Sequence, residues 1–473
     1  MGQNGVPNEK AEPSPANPSR HHILPTYMVG GKLKTKGISQ EGESGRSGFH
    51  PLHFIKVAWH NSNKLSQWVN ILWPFVPAAI VAHFVIPDRH KTIFSLNYIA
   101  MVPAANMLGF AGQELARKLP RVMGILIETT LGSVVEVILF MVLVVRAQNQ
   151  VEYISVLQAA ILGSIMTNLL LCLGFCFLVG GLANKGEQQF HAVISETGSG
   201  MLLVAAFALL IPSAFFATLY SQTSTDDANS LYPLAQLERD TRGISHGTAC
   251  ILIISFIVYI IYCAFSTHSV FDEILAQDEE MDRDRHRDLA KRKFTLTEAI
   301  LAIVISIACV GLVAVFLVEE IHYIVEENHV PDAFLGFILV PLVEKLAEHI
   351  TAIDEAYDNQ INFALYHCIG PSIQTALFNA PLAVIVGWGL GTDMDLNFEI
   401  FMIVILVLSV LVVGNFLRDG SSNYLEGFLL ITVYTIIALA TWYYPNPSEL
   451  GAETASGETG GEEAHKMLAR LLN

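Results

Sequence analysis

Polar segments separate eleven apolar stretches, each about long enough to cross ~30 Å of hydrocarbon as a helix. The stretches centre on Asn70 to Ile86, Ile93 to Phe110, Val122 to Val145, Ile154 to Val179, Ala192 to Thr218, Ser245 to Phe265, Thr297 to Val318, Ala333 to Tyr357, Phe363 to Leu390, Ile400 to Phe416 and Leu425 to Tyr443. They lack the strict apolar and polar alternation of a membrane β-strand, so the pattern predicts helices. An all-α membrane protein with about 11 transmembrane helices is expected.

Composition agrees with this reading. Hydrophobic residues make up 52% of the 473, charged residues only 15%, and the mean hydropathy is +0.46, which burial against lipid explains better than one giant soluble core. The first 69 residues are polar and have no apolar run behind a basic start, so no cleavable signal peptide is predicted. Val6 stands where a myristoylation signal wants Ser or Thr. Residues 1–69 and 445–473 are expected to be disordered, the latter as a polar acidic tail.

Charge placement predicts orientation. With the N-terminus cytosolic, the cytosolic loops hold Arg117, Lys118, Arg121, Lys185, Arg283, Arg285, Arg287, Lys291, Arg292, Lys293 and Arg418, against Arg89, Lys91, Arg146, Arg239 and Arg242 on the other side. The positive-inside rule therefore puts the N-terminus in the cytosol and the C-terminus across the membrane. The net charge of -17 argues against nucleic-acid binding. The six cysteines lie in apolar stretches without a CxxC spacing, so packing is their expected role.

The chain divides into two related halves. The third stretch carries Leu131-Gly-Ser-Val-Val-Glu136 and the eighth carries Leu342-Val-Glu-Lys-Leu-Ala-Glu348-His349. Each glutamate is followed by a helix with small polar spacing, Leu162-Gly-Ser-Ile-Met-Thr-Asn168 and Ile369-Gly-Pro-Ser-Ile-Gln-Thr375. The gaps from glutamate to glycine are 27 residues (136 to 163) and 22 (348 to 370), a repeat of pattern rather than identity. Five helices is an odd number, so the repeats enter the membrane from opposite sides. The expected organisation is a first helix at 70–86 outside the symmetry, a first repeat at 93–268, an acidic cytosolic linker helix at 269–294 and a second, inverted repeat at 295–444.

Inverted repeats belong to secondary transporters, whose sites sit near the midplane where helices are interrupted. Gly132 with Ser133, Gly163 with Ser164, and Gly370 with Pro371 are the expected interruptions. A carboxylate at helix centre costs about 2.5–3.5 kcal/mol on insertion scales, so Glu136 and Glu348 are read as functional, with a structural hydrogen-bonded role as the alternative. Such carboxylates suit Ca²⁺, which wants hard oxygens, and hold protons when the cation leaves. Glu128, eight residues before Glu136, either faces the pathway or caps a helix. Asp354, Glu355 and Asp358 are either a cation-attracting mouth or a solvated helix end.

At these motifs the chain resembles the CAX family of calcium/proton exchangers, particularly fungal vacuolar members. The resemblance runs from about Leu72 to Tyr444 and includes Val102-Pro-Ala-Ala, Glu114-Leu-Ala, Gln158-Ala-Ala-Ile-Leu-Gly-Ser-Ile, Asn168-Leu-Leu-Leu, Gly180-Gly-Leu-Ala-Asn184, Ser245-His-Gly-Thr248, Thr267-His268, Ser372-Ile-Gln374 and Ala376-Leu-Phe378. It implies an eleven-span antiporter, not an enzyme, that moves Ca²⁺ into an acidic vacuole against protons, with no cofactor. By motif match, Glu136 and Glu348 would bind cation and proton, and Ser164, Asn168, Ser372 and Gln374 would line the site. The lipid bilayer and inorganic cations are the expected partners, Mn²⁺ or a monovalent ion is an alternative cargo, and homo-oligomerisation is left open.

Four positions modify the expected site. The family's first motif reads Gly-Asn-Ala-x-Glu, whereas Ser133 here replaces its asparagine. The second reads Gly-Asn-Ala-Ala-Glu-His, whereas here Glu344 and Lys345 precede Glu348 and His349. Lys345 reaches Glu348 or Glu344 by helical spacing, so its ammonium either replaces the calcium charge or forms a buried Glu-Lys pair that only packs. His349 is either a proton relay or a hydrogen-bonded packing residue. A membrane regulator that kept the fold but lost the ion is the alternative function. The chain has no HExxH or Gly-x-Ser-x-Gly motif to support an intramembrane hydrolase.

Overall fold

The computed structural model describes residues 26–29, 32–35 and 44–445, apart from 47, 61–63, 120, 151, 185, 221–232 and 329; between 266 and 290 it describes only Ile274, Asp278, Met281 and Arg283. A hairpin of β1 (Thr26–Val29) and β2 (Lys32–Thr35) precedes a helical bundle. The bundle comprises α1 (Pro51–Trp59), α2 (Lys64–Val69), α3 (Phe75–Val85), α4 (His90–Ala116), α5 (Arg121–Gly132), α6 (Val134–Ala147), α7 (Glu152–Asn184), α8 (Ala192–Tyr220) and α9 (Leu234–Phe265). It continues with α10 (Leu296–Glu319), α11 (Ile321–Asn328), α12 (332–357), α13 (Ile361–Leu390), α14 (Ile400–Phe416) and α15 (Tyr424–Trp442).

Helices therefore stand at all eleven apolar stretches. Eight segments among the described residues are long and apolar enough to cross a membrane. The other three depart for visible reasons: α5 and α6 are separate helices split at Ser133, α12 carries Asp332, Glu344, Lys345 and Glu348, and α14 has only 17 residues. Side chains such as Val204, Phe207, Ile211, Ile254 and Val258 face outward, as lipid contact requires.

Packing relates the halves. The first helices of the two repeats, α4 and α10, pack together, as do the fourth, α8 and α14. The contact of α15 with the last part of α7 is mirrored by that of α9 with the last part of α13. Likewise α12 rests on α4 while α6 rests on α10. Exchanging the repeats carries each pair into its mate, which is what an internal twofold relation demands.

Several expectations need correction. Residues 1–69 are not uniformly without structure, because α1 docks at the start of α10. There Glu298 accepts from the backbone N–H of His50 (3.1 Å), pairs with His53 Nδ1 (2.9 Å), and closes a capping box with Thr295. The sixth span begins at Leu234, eleven residues before the apolar stretch, as a polar extension of one helix. Only one predicted interruption is a break, at Ser133. The chain is helical through Gly163 and Gly370, and irregularity falls later, in π-helical turns at Thr167–Cys172 and Thr375–Asn379, with a third at Leu335–Leu339. Gly163 serves close packing instead, since a Cβ there would lie 2.2 Å from the carbonyl oxygen of Phe337, and Gly336 reciprocates against Val156. The linker 269–294 and the tail 445–473 lie largely outside the described residues.

Two described linker residues nevertheless anchor the bundle. Buried Asp278 accepts hydrogen bonds from the backbone N–H of Asn362 (2.8 Å) and Phe363 (3.2 Å) and from Asn362 Nδ2 (2.8 Å), capping α13 from another element. Arg283 donates to the carbonyl of Tyr357 and to the side chain of Asn184, at the ends of α12 and α7. We call this face of the bundle the linker end.

Candidate cation-binding site

Four elements converge where the helices are irregular: the α5/α6 break, the π-turns of α7 and α13, and the middle of α12. π-Turns inside helices recur at functional sites because they expose backbone groups and shift side-chain register. Glu136 lies in the first turn of α6, just past the break, and is fully buried. Its Oε1 accepts a hydrogen bond from Thr375 Oγ1 at 2.7 Å, from the π-turn of α13. Its Oε2 lies 2.9 Å from Lys345 Nζ, which is also buried. The same ammonium lies 3.6 Å from Glu348 Oε2. Lys345 thus stands between the two glutamates expected to share a cation.

The surrounding polar groups interlock across the halves. Gln374 Nε2 donates to Ser133 Oγ (2.6 Å), which in turn donates to the carbonyl of Thr130 (3.0 Å). His349 Nε2 meets Asn168 Oδ1 at 3.0 Å. Glu348 packs its carboxylate on Gly132, where a Cβ would come within 2.9 Å of Oε1, so the bare glycine leaves room for the opposing glutamate. Glu344 is buried with no hydrogen bond on either oxygen, and the Ser164 hydroxyl acts on it without meeting hydrogen-bond geometry. Ser372 turns its hydroxyl back to the carbonyl of Cys368 (2.8 Å) along its own helix.

The structure therefore brings together Ser133, Glu136, Asn168, Glu344, Lys345, Glu348, His349 and Gln374, with Ser164 alongside, and turns Ser372 away. Thr375 was missed, although it occupies the position of Asn168 in the other repeat: each lies five residues beyond its motif glycine, 163 to 168 and 370 to 375. His367 was missed too. On the linker-end side it lies 2.7 Å from Glu355 and 3.6 Å from Glu128, which joins the two acids through one imidazole instead of leaving them at unrelated helix ends.

Chemically, the site is a knot of oxygen donors crossed by one cation. Both oxygens of Glu344, Gln374 Oε1 and Ser164 Oγ are buried without hydrogen-bond partners among the described residues, while Glu136 Oε2 and Glu348 Oε2 face the ammonium of Lys345. Buried polar atoms are normally paired, so such a concentration marks a candidate binding site. The three carboxylates do not converge on one point in this conformation. The clusters of described His, Cys, Asp and Glu residues whose ligand atoms gather within 4.8 Å lie elsewhere, and here the ammonium of Lys345 takes the central position.

Comparison with known proteins agrees with this architecture. Residues 91–265 and 298–443 match the family described as sodium/calcium exchanger protein. The chain is 32% identical over 389 residues to the vacuolar calcium ion transporter of Schizosaccharomyces pombe, covering 82% of this chain and 88% of that one. It is 34% identical over 388 residues to vacuolar cation/proton exchanger 2 of Arabidopsis thaliana, covering 81% and 82%. The fold is that of the native YfkE structure, with a TM-score of 0.61 at 24% identity over 79% of this chain and all of that one. The crystal structure of the H⁺/Ca²⁺ exchanger CAX superposes with a TM-score of 0.54 at 11% identity, over 81% of this chain and 90% of that one. With both halves matched by the family and more than four fifths of its length shared with relatives above 30% identity, this chain belongs to the sodium/calcium exchanger protein family, among its cation/proton exchangers.

Proposed function

We propose that the protein is a secondary active antiporter that exchanges cytosolic Ca²⁺ for lumenal protons across an acidic vacuolar membrane. All eleven spans then cross it, with the linker end and N-terminus cytosolic and the C-terminus lumenal. The observation that carries this reading is the meeting of Glu136 and Glu348, one from each repeat, beside buried oxygens that lack hydrogen bonds. Calcium requires six to eight oxygens, and the same carboxylates take protons when it leaves.

Lys345 does not cancel the site. Relative to the glycine and asparagine of the family motif, Glu344 and Lys345 bring one charge of each sign. Three ionised carboxylates and one ammonium leave two net negative charges, which one Ca²⁺ or two protons neutralise. The ammonium acts as a tethered competitor: it pairs with Glu136 and Glu348 when the cation is absent and must be displaced when it binds. Calcium affinity is accordingly weaker than with asparagine at position 345, and a cargo other than Ca²⁺, such as Mn²⁺, gains relative ground.

The 2.9 Å contact of Lys345 with Glu136 also favours a second reading, a locked and non-transporting membrane regulator. Reconstitution in proteoliposomes with an imposed pH gradient separates the two. The antiporter reading expects gradient-driven Ca²⁺ or Mn²⁺ uptake with proton efflux, lost in Glu136→Gln and Glu348→Gln. Absence of flux for every cation tried favours the regulator, and flux that persists in both glutamine variants refutes the site.

A further inference from the structure

Three thiols meet in the core between the repeats. Cys172 closes the π-turn of α7, Cys176 follows one helical turn later on the same face, and Cys368 comes from α13. Cys368 Sγ lies 3.4 Å from Cys172 Sγ and 4.0 Å from Cys176 Sγ, and all three sulfurs fall within 4.8 Å of one another. All three are at most 1% exposed and carry free thiols.

The cluster has a definite place beside the carboxylate site. Cys172 lies four residues beyond Asn168, toward the end of α7 that Arg283 holds. Cys368 lies four residues before Ser372, toward the end of α13 that Asp278 caps. The thiols therefore sit one helical turn from the carboxylate site on its linker-end side, next to His367 with Glu128 and Glu355.

We infer that Cys172, Cys176 and Cys368 form a binding site for a thiophilic d¹⁰ cation such as Zn²⁺ or Cd²⁺, separate from the oxygen site beside it. A metal–sulfur distance of about 2.3 Å sets sulfurs roughly 3.8–4.0 Å apart in tetrahedral or trigonal coordination, close to the spacing here. Sulfur donors select soft ions and reject Ca²⁺, so one chain presents a hard site and a soft site a turn apart. Each coordinating thiol is deprotonated, so binding a divalent ion releases three protons and leaves one net negative charge on the site. The bound ion ties α7, which carries Asn168, to α13, which carries Gln374 and Thr375, and so holds the repeats in one arrangement. The inference rests on the thiol geometry and stands whether or not the carboxylate site transports Ca²⁺.

The test is titration of the reduced full-length protein in detergent micelles with Cd²⁺, following thiolate-to-cadmium charge-transfer absorbance. The band is expected to saturate at one equivalent, to weaken at least tenfold in affinity in Cys172→Ser and in Cys368→Ser, and to persist in Cys309→Ser and Glu136→Gln. No band in the wild type, or one unchanged in Cys368→Ser, overturns the site. Should the serine variants fail to fold, X-ray absorption on the cadmium-loaded wild type decides. A shell of three sulfurs supports the site, whereas a shell of oxygen and nitrogen alone, or a Cys172–Cys368 disulfide in anaerobically prepared protein, overturns it.

Discussion

Lys345 is the side chain on which the cation site turns. Its ammonium is almost completely buried and bonded by charge to Glu136 and Glu348, and a buried pair loses about 3–5 kcal/mol when one partner is removed. Lys345→Asn should therefore lower thermal stability in cation-free buffer, with Ca²⁺ restoring it and binding more tightly than to the wild type. Unfolding followed with and without Ca²⁺ checks this, and a variant that binds Ca²⁺ no better than the wild type would remove the tethered-competitor role. Thr375 makes the converse case, since it donates to the other oxygen of Glu136. A hydrogen bond to a charged group contributes about 1.5–3 kcal/mol, so Thr375→Val should weaken half-saturation by the transported cation roughly ten- to a hundredfold. The glutamates were legible in the sequence because an acid inside an apolar helix is costly enough to need a reason. Thr375 carried a readable signal as well, its offset from Gly370, but a threonine in a membrane helix is cheap and draws no attention by itself.

At the scale of elements, irregular turns and caps position the site. The apolar pattern located the helices, but it placed the interruptions at Gly163 and Gly370, whereas the π-turns begin at Thr167 and Thr375. Glycine in a helix signals either a break or a close approach, and here Gly163 touches the backbone of α12, a contact that local sequence does not encode. The first turn of α13 depends on Asp278, whose carboxyl burial pushes above its ordinary value of 3.8 despite the hydrogen bonds it accepts. A raised folded value means that the folded chain holds this proton more tightly than the unfolded one. The resulting stabilisation is full below the ordinary value and is lost as pH rises through the raised one. Hydrogen exchange at Asn362 and Phe363 should accordingly quicken as pH rises across that window, after correction for intrinsic exchange, and Asp278→Asn should flatten the dependence. An identical profile in the variant would show that another group sets it.

Across the whole molecule, two repeats share one core, and segments distant in the chain lock them together. α1 reaches the start of the second repeat through His53 and Glu298, and Glu114 of α4 accepts from the backbone N–H of Phe294 at 2.8 Å. Removing one partner of a buried hydrogen bond costs about 1–3 kcal/mol, so His53→Ala should speed proteolysis between residues 44 and 60 before the bundle unfolds. Unchanged cleavage would show that this pair does not hold α1. The amino-acid sequence by itself determined the helical membrane class and where the helices stand, and it singled out a glutamate in each half. Hydrophobic length and the cost of a charge in lipid are properties of a segment, legible without knowledge of its neighbours. Only the tertiary structure decided that Lys345 stands between Glu136 and Glu348, that His367 joins Glu128 to Glu355, and that three cysteines far apart in the chain meet. Those outcomes depend on which helices cross and in what register, and that is set by packing the two repeats against each other.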